Sequence, residues 1–403
     1  MATSGTKSTR SKRTDSPVTS HLDDLVATKE VLIACGPGGV GKTTTAAATG
    51  LIAALRYPKN VLVLTIDPAK RLANALGLEG IGNDEREIPA EAFNELGLTP
   101  KGQLSVAMLD TKQSWDALIR RHAPDVATAN AILVNPLYHN ITSRFVQSHE
   151  YIAMERLYDL HSSGKYDLIV VDTPPTRNAL DFLDAPERMA DFFASRLLRW
   201  LITPYRSRIV NIATKPFYQI ADRILGSQFL QDIAEFFVAF QSMYDGFVKR
   251  AQGVDLLLSD DRTGFMVVST LEPVPAREAK FFVDELNRRK LNLEVMALNK
   301  VLPSSFRSKD AATVAERMRE DSDKIADKLA GKIFGGDVDL NSVSRVLKEV
   351  GTSFQNFQNV ALQEASLEKT FAKTTGYVAS VPFYDTEISD LASLADLGSR
   401  LWM

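Results

Sequence analysis

Hydrophobic positions along the chain follow two periods. Seven short apolar runs have the length and β-branched content of buried parallel strands: "VLIAC" (31–35), "VLVLTID" (61–67), "LSVAML" (104–109), "LIVVD" (168–172), "FMVVST" (265–270), "LEVMALN" (293–299) and "YVASVP" (377–382). Helical patterns separate them, which predicts an α/β fold with a mostly parallel central sheet flanked by helices. Two helical insertions are expected, at about 112–162 and about 185–255, with a third, charged helical stretch at about 305–370. The second is rich in aromatics, including Phe192, Phe193, Trp200 and Phe237. Within it Phe229, Ile233, Phe236, Phe240, Met243 and Phe247 recur at steps of three and four, so they share one helix face. Such a face is either the core of a helical subdomain or a groove for an apolar client, and both readings stay open.

Composition narrows the classes. A chain of 403 residues can bury a sizeable core, and its net charge of −3 gives no basic field for nucleic acid. The single cysteine, Cys35, permits neither an internal disulfide nor a C-x-x-C metal clamp, which fits a cytoplasmic protein. The five histidines show no H-x-x-x-H spacing, so no zinc site is expected. Residues 1–25 begin as a basic, Ser/Thr-rich segment without the apolar stretch of a signal peptide, and are expected to form a disordered tail. No apolar run reaches the roughly 18 residues that a membrane span needs.

The chemistry concentrates in "IACGPGGVGKTTTAAA" (33–48). Gly36, Gly38 and Gly41 fit the G-x-G-x-x-G turn of dinucleotide folds, while Gly36, Gly41, Lys42 and Thr43 fit G-x-x-x-x-G-K-[ST], the P-loop of nucleoside triphosphatases. Lys42 and Thr43 decide between them. A triphosphate uses a lysine that reaches its β- and γ-phosphates and a hydroxyl for Mg²⁺, and a dinucleotide loop needs neither. The phosphate cradle is then Gly38, Gly39, Val40 and Gly41, followed by Lys42, Thr43 and Thr44 at the start of a helix. A second metal-holding group belongs at a strand end, and Asp172, closing "LIVVD" before Thr-Pro-Pro, supplies it. Asp67, closing "VLVLTID" before Pro-Ala, is the candidate to orient and polarise water beside the γ-phosphate; helix capping is its other reading.

These segments, with "TIDPAKRLANALG", "VVSTLEPVPAREAKFFVDEL", "ALNKVLP" and "VPFYDTEISDLASL", resemble the ArsA-type ATPases, the arsenite-pump and tail-anchored-protein-targeting ATPases. The likeness runs from about residue 29 to the C-terminus and is nearest to actinobacterial ArsA-like anion-transporting ATPases, so residues 26–403 are expected to form one ArsA-like P-loop domain. It implies ATP hydrolysis with Mg²⁺, water activation by Asp67, the Walker B role for Asp172, adenine contact by Asn299, and the other adenine wall at Pro382 and Phe383. GTP is disfavoured, because Leu302 stands where a guanine-reading N-K-x-D motif has its acid.

The family pattern also implies a dimer and helices that move with nucleotide state and bind a client protein or apolar segment, with any membrane contact made through a partner. The clamp cysteines of the targeting ATPases and the metalloid-binding cysteines of the pumps are absent, so neither substrate class carries over. Pro37 stands where most of the family has a lysine that reaches the partner's phosphates. Either a paralogue carrying that lysine completes a heterodimer, or Lys70 or Arg71 substitutes. Two other functions stay open: a nucleotide-gated binding or scaffold module with negligible hydrolysis, and a ParA/MinD-like positioning ATPase.

Overall fold

The computed structural model describes residues 20–66, 82–139, 146–174, 184, 188, 191, 236–239, 243–329 and 339–403. Its eight strands are β1 (Val31–Cys35), β2 (Asn60–Thr65), β3 (Arg86–Glu87), β4 (Gln103–Met108), β5 (Leu168–Asp172), β6 (Thr263–Ser269), β7 (Leu293–Val301) and β8 (Val378–Pro382). All seven apolar runs form strands. They make one sheet in the order β3-β4-β2-β5-β1-β6-β7-β8, parallel throughout except for the β3–β4 pair. The two-residue edge strand β3 is exposed and polar, so no periodicity announces it.

Alternation along each strand divides the core in two. Leu32 and Ala34 of β1, with Val61 and Val63 of β2, face the helix Lys42–Arg56, the C-terminal helix Leu391–Leu401 and an N-terminal helix His21–Thr28. Val31, Ile33 and Cys35, with Leu62 and Leu64, face the helices Thr111–His122, Val146–Ser162, Tyr244–Ser259 and Pro273–Arg288. Covered on both faces, the strands read as unbroken apolar runs. The tail expectation for residues 1–25 fails at its end. Ser20 and Asp23 form a capping box, and Leu22, Leu25 and Val26 bury one face of the helix that follows. Residues 1–19 lie outside the described residues.

Of the aromatic stripe, Phe236, Met243 and Phe247 are buried, and Phe247 packs at a tilt on Trp115 and Tyr151. Burial at these three positions favours packing over an open groove; Phe229, Ile233 and Phe240 fall outside the described residues. The third helical stretch holds the helices Lys309–Glu320, Ser322–Leu329 and Leu340–Phe371. The chain leaves central β1 through the P-loop helix towards β2 on one side, and β6 flanks β1 on the other. The carboxyl ends of β1, β5, β6 and β7 therefore line the crevice where open parallel sheets hold ligands.

Candidate functional site

The loop after β1 is shaped by two glycines. Gly36 has φ +138°, and a Cβ there would lie 2.1 Å from the Val268 carbonyl oxygen of β6. Gly41, left-handed at φ +95°, is the N-cap of the helix Lys42–Arg56, and a Cβ there would meet the Asn299 amide at 2.4 Å. No side chain caps this helix, so its first-turn N–H groups are left for an anion. Gly38 and Gly39 are exposed at the mouth, Val40 is buried, and Thr44 is half-buried in the first turn. The helix is braced from behind. Gly398 of the C-terminal helix lies against Ala48 and Ile52, and Trp402 donates its indole N–H to Thr49 Oγ1 at 3.2 Å.

Lys42 is buried, and its Nζ donates across the loop to the Pro37 carbonyl at 2.8 Å. Pro37 lacks an N–H, yet its carbonyl still holds the lysine of its own loop. Strand register sets Asp172 level with Ala34 on β1 and Thr65 on β2, deep at the sheet's carboxyl edge. There Asp172 Oδ2 accepts from Thr43 Oγ1 at 2.6 Å and from Thr65 Oγ1 at 3.0 Å. Thr173 Oγ1 donates to the Ala34 carbonyl at 2.9 Å and ties the turn after β5 to β1. Thr65 carries no motif signal; only strand pairing reveals it. Thr43 and Asp172 bring hard oxygen donors into direct contact, which suits Mg²⁺, an ion held by one or two carboxylates together with substrate phosphates. Neighbouring Cys35 is sealed in the strand, and burial pushes its thiol well above the ordinary range.

Asn299, near the end of β7, reaches the same loop: its Nδ2 donates to the Val40 carbonyl at 2.8 Å, and its Oδ1 accepts from the Lys300 N–H at 2.9 Å. Lys300 is left-handed at φ +58°, at an irregularity where the pairing with β8 shifts between Leu298 and Val301. Beyond it Pro382 pairs with Val301, whose carbonyl accepts from the Phe383 N–H at 3.0 Å, and the Phe383 ring stands exposed. Asn299, Pro382 and Phe383 thus meet at one edge beside the P-loop. Two glutamates that the sequence did not single out support this edge. Buried Glu364 accepts from the Leu302 N–H at 3.0 Å, and Glu368 accepts from Ser380 Oγ at 2.9 Å and from Arg307. Burial lifts the Glu364 pKa above the ordinary glutamate value. Asp67, with Lys70 and Arg71, lies outside the described residues.

Residues 29–335 match the sequence profile of the family described as Anion-transporting ATPase, which covers most of the chain. The chain belongs to this family. By family it is an ATP hydrolase and a nucleotide-binding protein. Similar proteins include "Putative arsenical pump-driving ATPase 1" of Aquifex aeolicus, 23% identical over 71% of this chain and 67% of its own length. An uncharacterised protein of Streptomyces coelicolor is 29% identical over 68% of this chain and 62% of its own length. "ATPase ASNA1 homolog 1" of Paramecium tetraurelia is 25% identical over 72% of this chain and 81% of its own length. The chain thus spans roughly two thirds of the first two relatives. Among the described residues, no helix of this ATPase is long and apolar enough to cross a membrane.

Proposed function

We propose that this chain hydrolyses ATP to ADP and phosphate with Mg²⁺, and that its helices change position with nucleotide state to bind a partner or client. The observation that carries the reading is the contact of Thr43 with Asp172 beside buried Lys42 at an uncapped helix start. Lys42 would exchange the Pro37 carbonyl for the β- and γ-phosphates, adding its charge to that of the helix N-terminus. Gly38, Gly39, Val40, Gly41 and Thr44 supply the backbone around the phosphates. Thr43 and Asp172 are the residues that would hold Mg²⁺, which when bound neutralises phosphate charge. Asp67 is assigned to orient the attacking water. The remaining Asn299 donor and the exposed Phe383 ring suit an adenine, one by hydrogen bonding and the other by stacking.

Pro37 supports a second element of the reading. The family's dimer takes a cation from each subunit at this position, and Pro37 has none to give, so we assign activity to a dimer in which the missing charge comes from another residue. A paralogue that supplies the missing lysine would make that dimer a heterodimer. A cytoplasmic location fits the single buried cysteine.

The test is phosphate release with and without Mg²⁺ and ATP. Lys42→Ala should abolish turnover and weaken ATP binding. Asp67→Asn should abolish turnover and leave binding nearly intact, since water activation acts in the transition state. Equal turnover by Asp67→Asn and wild type would sink the catalytic assignment. Tight ATP binding with no turnover by wild type, alone or with a paralogue, would favour the binding-module reading.

A further inference from the structure

Thr65 ends β2, fully buried and level with Asp172 of β5 in the parallel ladder. Paired residues project to the same side of a sheet, and here that side carries the P-loop helix. Val61 and Val63 precede Thr65 in this layer, as Leu168 and Val170 precede Asp172. The hydroxyls of Thr43 and Thr65 therefore reach one carboxylate oxygen, Asp172 Oδ2, at 2.6 and 3.0 Å. This use of a buried threonine is unusual within the chain. Thr45, Thr49, Thr173 and Thr263 are also buried, and they donate to main-chain carbonyls at 2.8, 2.8, 2.9 and 2.6 Å. Thr65 directs its hydroxyl at a carboxylate instead. Main-chain bonds fix its position: its carbonyl accepts from the Leu109 N–H at 2.9 Å, and the N–H of Ile66 donates to the Asp172 carbonyl at 3.1 Å.

We propose that Thr65 is a positioning residue for Mg²⁺: its hydroxyl holds the Asp172 carboxylate in the orientation that receives the ion beside Thr43. The proposal rests on the Mg²⁺ assignment of Thr43 and Asp172 made above. The two hydroxyls have different duties, although each offers one proton and two lone pairs. Thr43, in the first turn of the helix Lys42–Arg56, gives its proton to Asp172 and keeps lone pairs for the ion. Thr65 supplies a second donated bond from a separate element, the strand beside β5. An aspartate carboxyl turns in a broad torsional well about its last bond, and a single donor on a helix start leaves that rotation open. Two donors on one oxygen fix where Oδ2 lies, and with it the direction that Oδ1 faces. Metal sites depend on such bonds, because removing the hydrogen-bond partner of a ligand lowers metal affinity about 10–100-fold. The same strand end leads two residues later to Asp67. A Thr65 that acted on that turn instead would change kcat and leave metal affinity alone.

The experiment measures Mn²⁺ affinity of the full chain with a non-hydrolysable ATP analogue bound, from the electron paramagnetic resonance of free Mn²⁺, beside turnover over a Mg²⁺ series. Thr65→Val keeps the β-branched shape that suits a strand and removes the hydroxyl. It should weaken Mn²⁺ binding about tenfold or more, leave affinity for the analogue in EDTA unchanged, and regain most of its turnover at high Mg²⁺. Thr65→Ser returns the hydroxyl and should stay near wild type. Thr65→Ala repeats the hydroxyl loss in a smaller residue and should match Thr65→Val, so the outcome does not hang on one variant folding. Wild-type Mn²⁺ affinity in both Thr65→Val and Thr65→Ala, with affinity lost in Asp172→Asn, overturns the role of Thr65 and leaves the metal assignment standing. Equal losses in Thr65→Ser and Thr65→Val would show packing rather than the hydroxyl at work and overturn it too. Turnover lost at saturating Mg²⁺ with Mn²⁺ affinity intact moves Thr65 to the Asp67 turn, against the proposal. Wild-type Mn²⁺ affinity in Asp172→Asn overturns the metal assignment itself, and this proposal with it.

Discussion

Replacing Glu364 by leucine should loosen nucleobase discrimination while costing little stability. The carboxylate lies buried and accepts the Leu302 N–H at 3.0 Å, three residues beyond Asn299. A hydrogen bond to a charged group contributes about 1.5–3 kcal/mol. Against that stands the burial that already lifts the Glu364 pKa, a cost that leucine removes, so the net loss should be about 1 kcal/mol. Unfolding a chain of 403 residues at about 2.1 cal/mol/K per residue converts this to a Tm decrease of roughly 1 °C. The local effect is larger in consequence. Lys300 is held at φ +58°, a conformation that costs an L-residue about 1–2 kcal/mol, and Leu302 is one of its anchors. Freed of Glu364, Lys300 can relax and draw Asn299 away from the Val40 carbonyl.

Steady-state ATP and GTP hydrolysis provides the assay. Glu364→Leu should lower the ATP:GTP ratio of kcat/KM about tenfold, mostly through KM for ATP. Glu364→Gln keeps an acceptor and should stay near wild type, and Asn299→Ala calibrates the largest loss expected. Wild-type discrimination in Glu364→Leu, alongside lost discrimination in Asn299→Ala, would refute the linkage. Unchanged discrimination in Asn299→Ala would refute the adenine assignment instead.

Two further outcomes are open to measurement. Phe236→Ser and Phe247→Ser should each cost about 3–5 kcal/mol by denaturant unfolding, because both rings are buried and Phe247 packs on Trp115 and Tyr151; near-wild-type stability would return the aromatic face to the groove reading. Arg288 and Arg289 hold the Glu285 carboxyl down at about 2, below its ordinary 4.5. A depressed carboxylate stabilises above its unfolded pKa and loses that contribution as pH falls through 4.5 towards 2. The stability gap between wild type and Glu285→Gln should therefore be constant above about pH 5.5 and shrink below 4.5, and a gap independent of pH would contradict the pairing.

Much of this protein is local, and the local part was legible in its sequence. The phosphate loop depends on glycine positions and on Lys42 and Thr43 as its neighbours in the chain, so spacing alone predicts it. The seven strands were visible because both sheet faces are covered, which forces uninterrupted apolar runs. The helix His21–Thr28 was missed: residues 1–25 were expected to be a disordered tail, because the polar start to the chain concealed the capping box at Ser20 and Asp23 and the short apolar repeat of Leu22, Leu25 and Val26. Asp172 could be nominated from a strand end, but the two hydroxyls on its Oδ2 come from Thr43 and Thr65, and strand order decides the second. The bonds from Asn299 to Val40 and from Glu364 to Leu302 span 259 and 62 residues. No spacing rule reaches that far. Sequence periodicity records which way each side chain faces within its own element, whereas partners on separate elements meet only once the sheet has set its strand order and register.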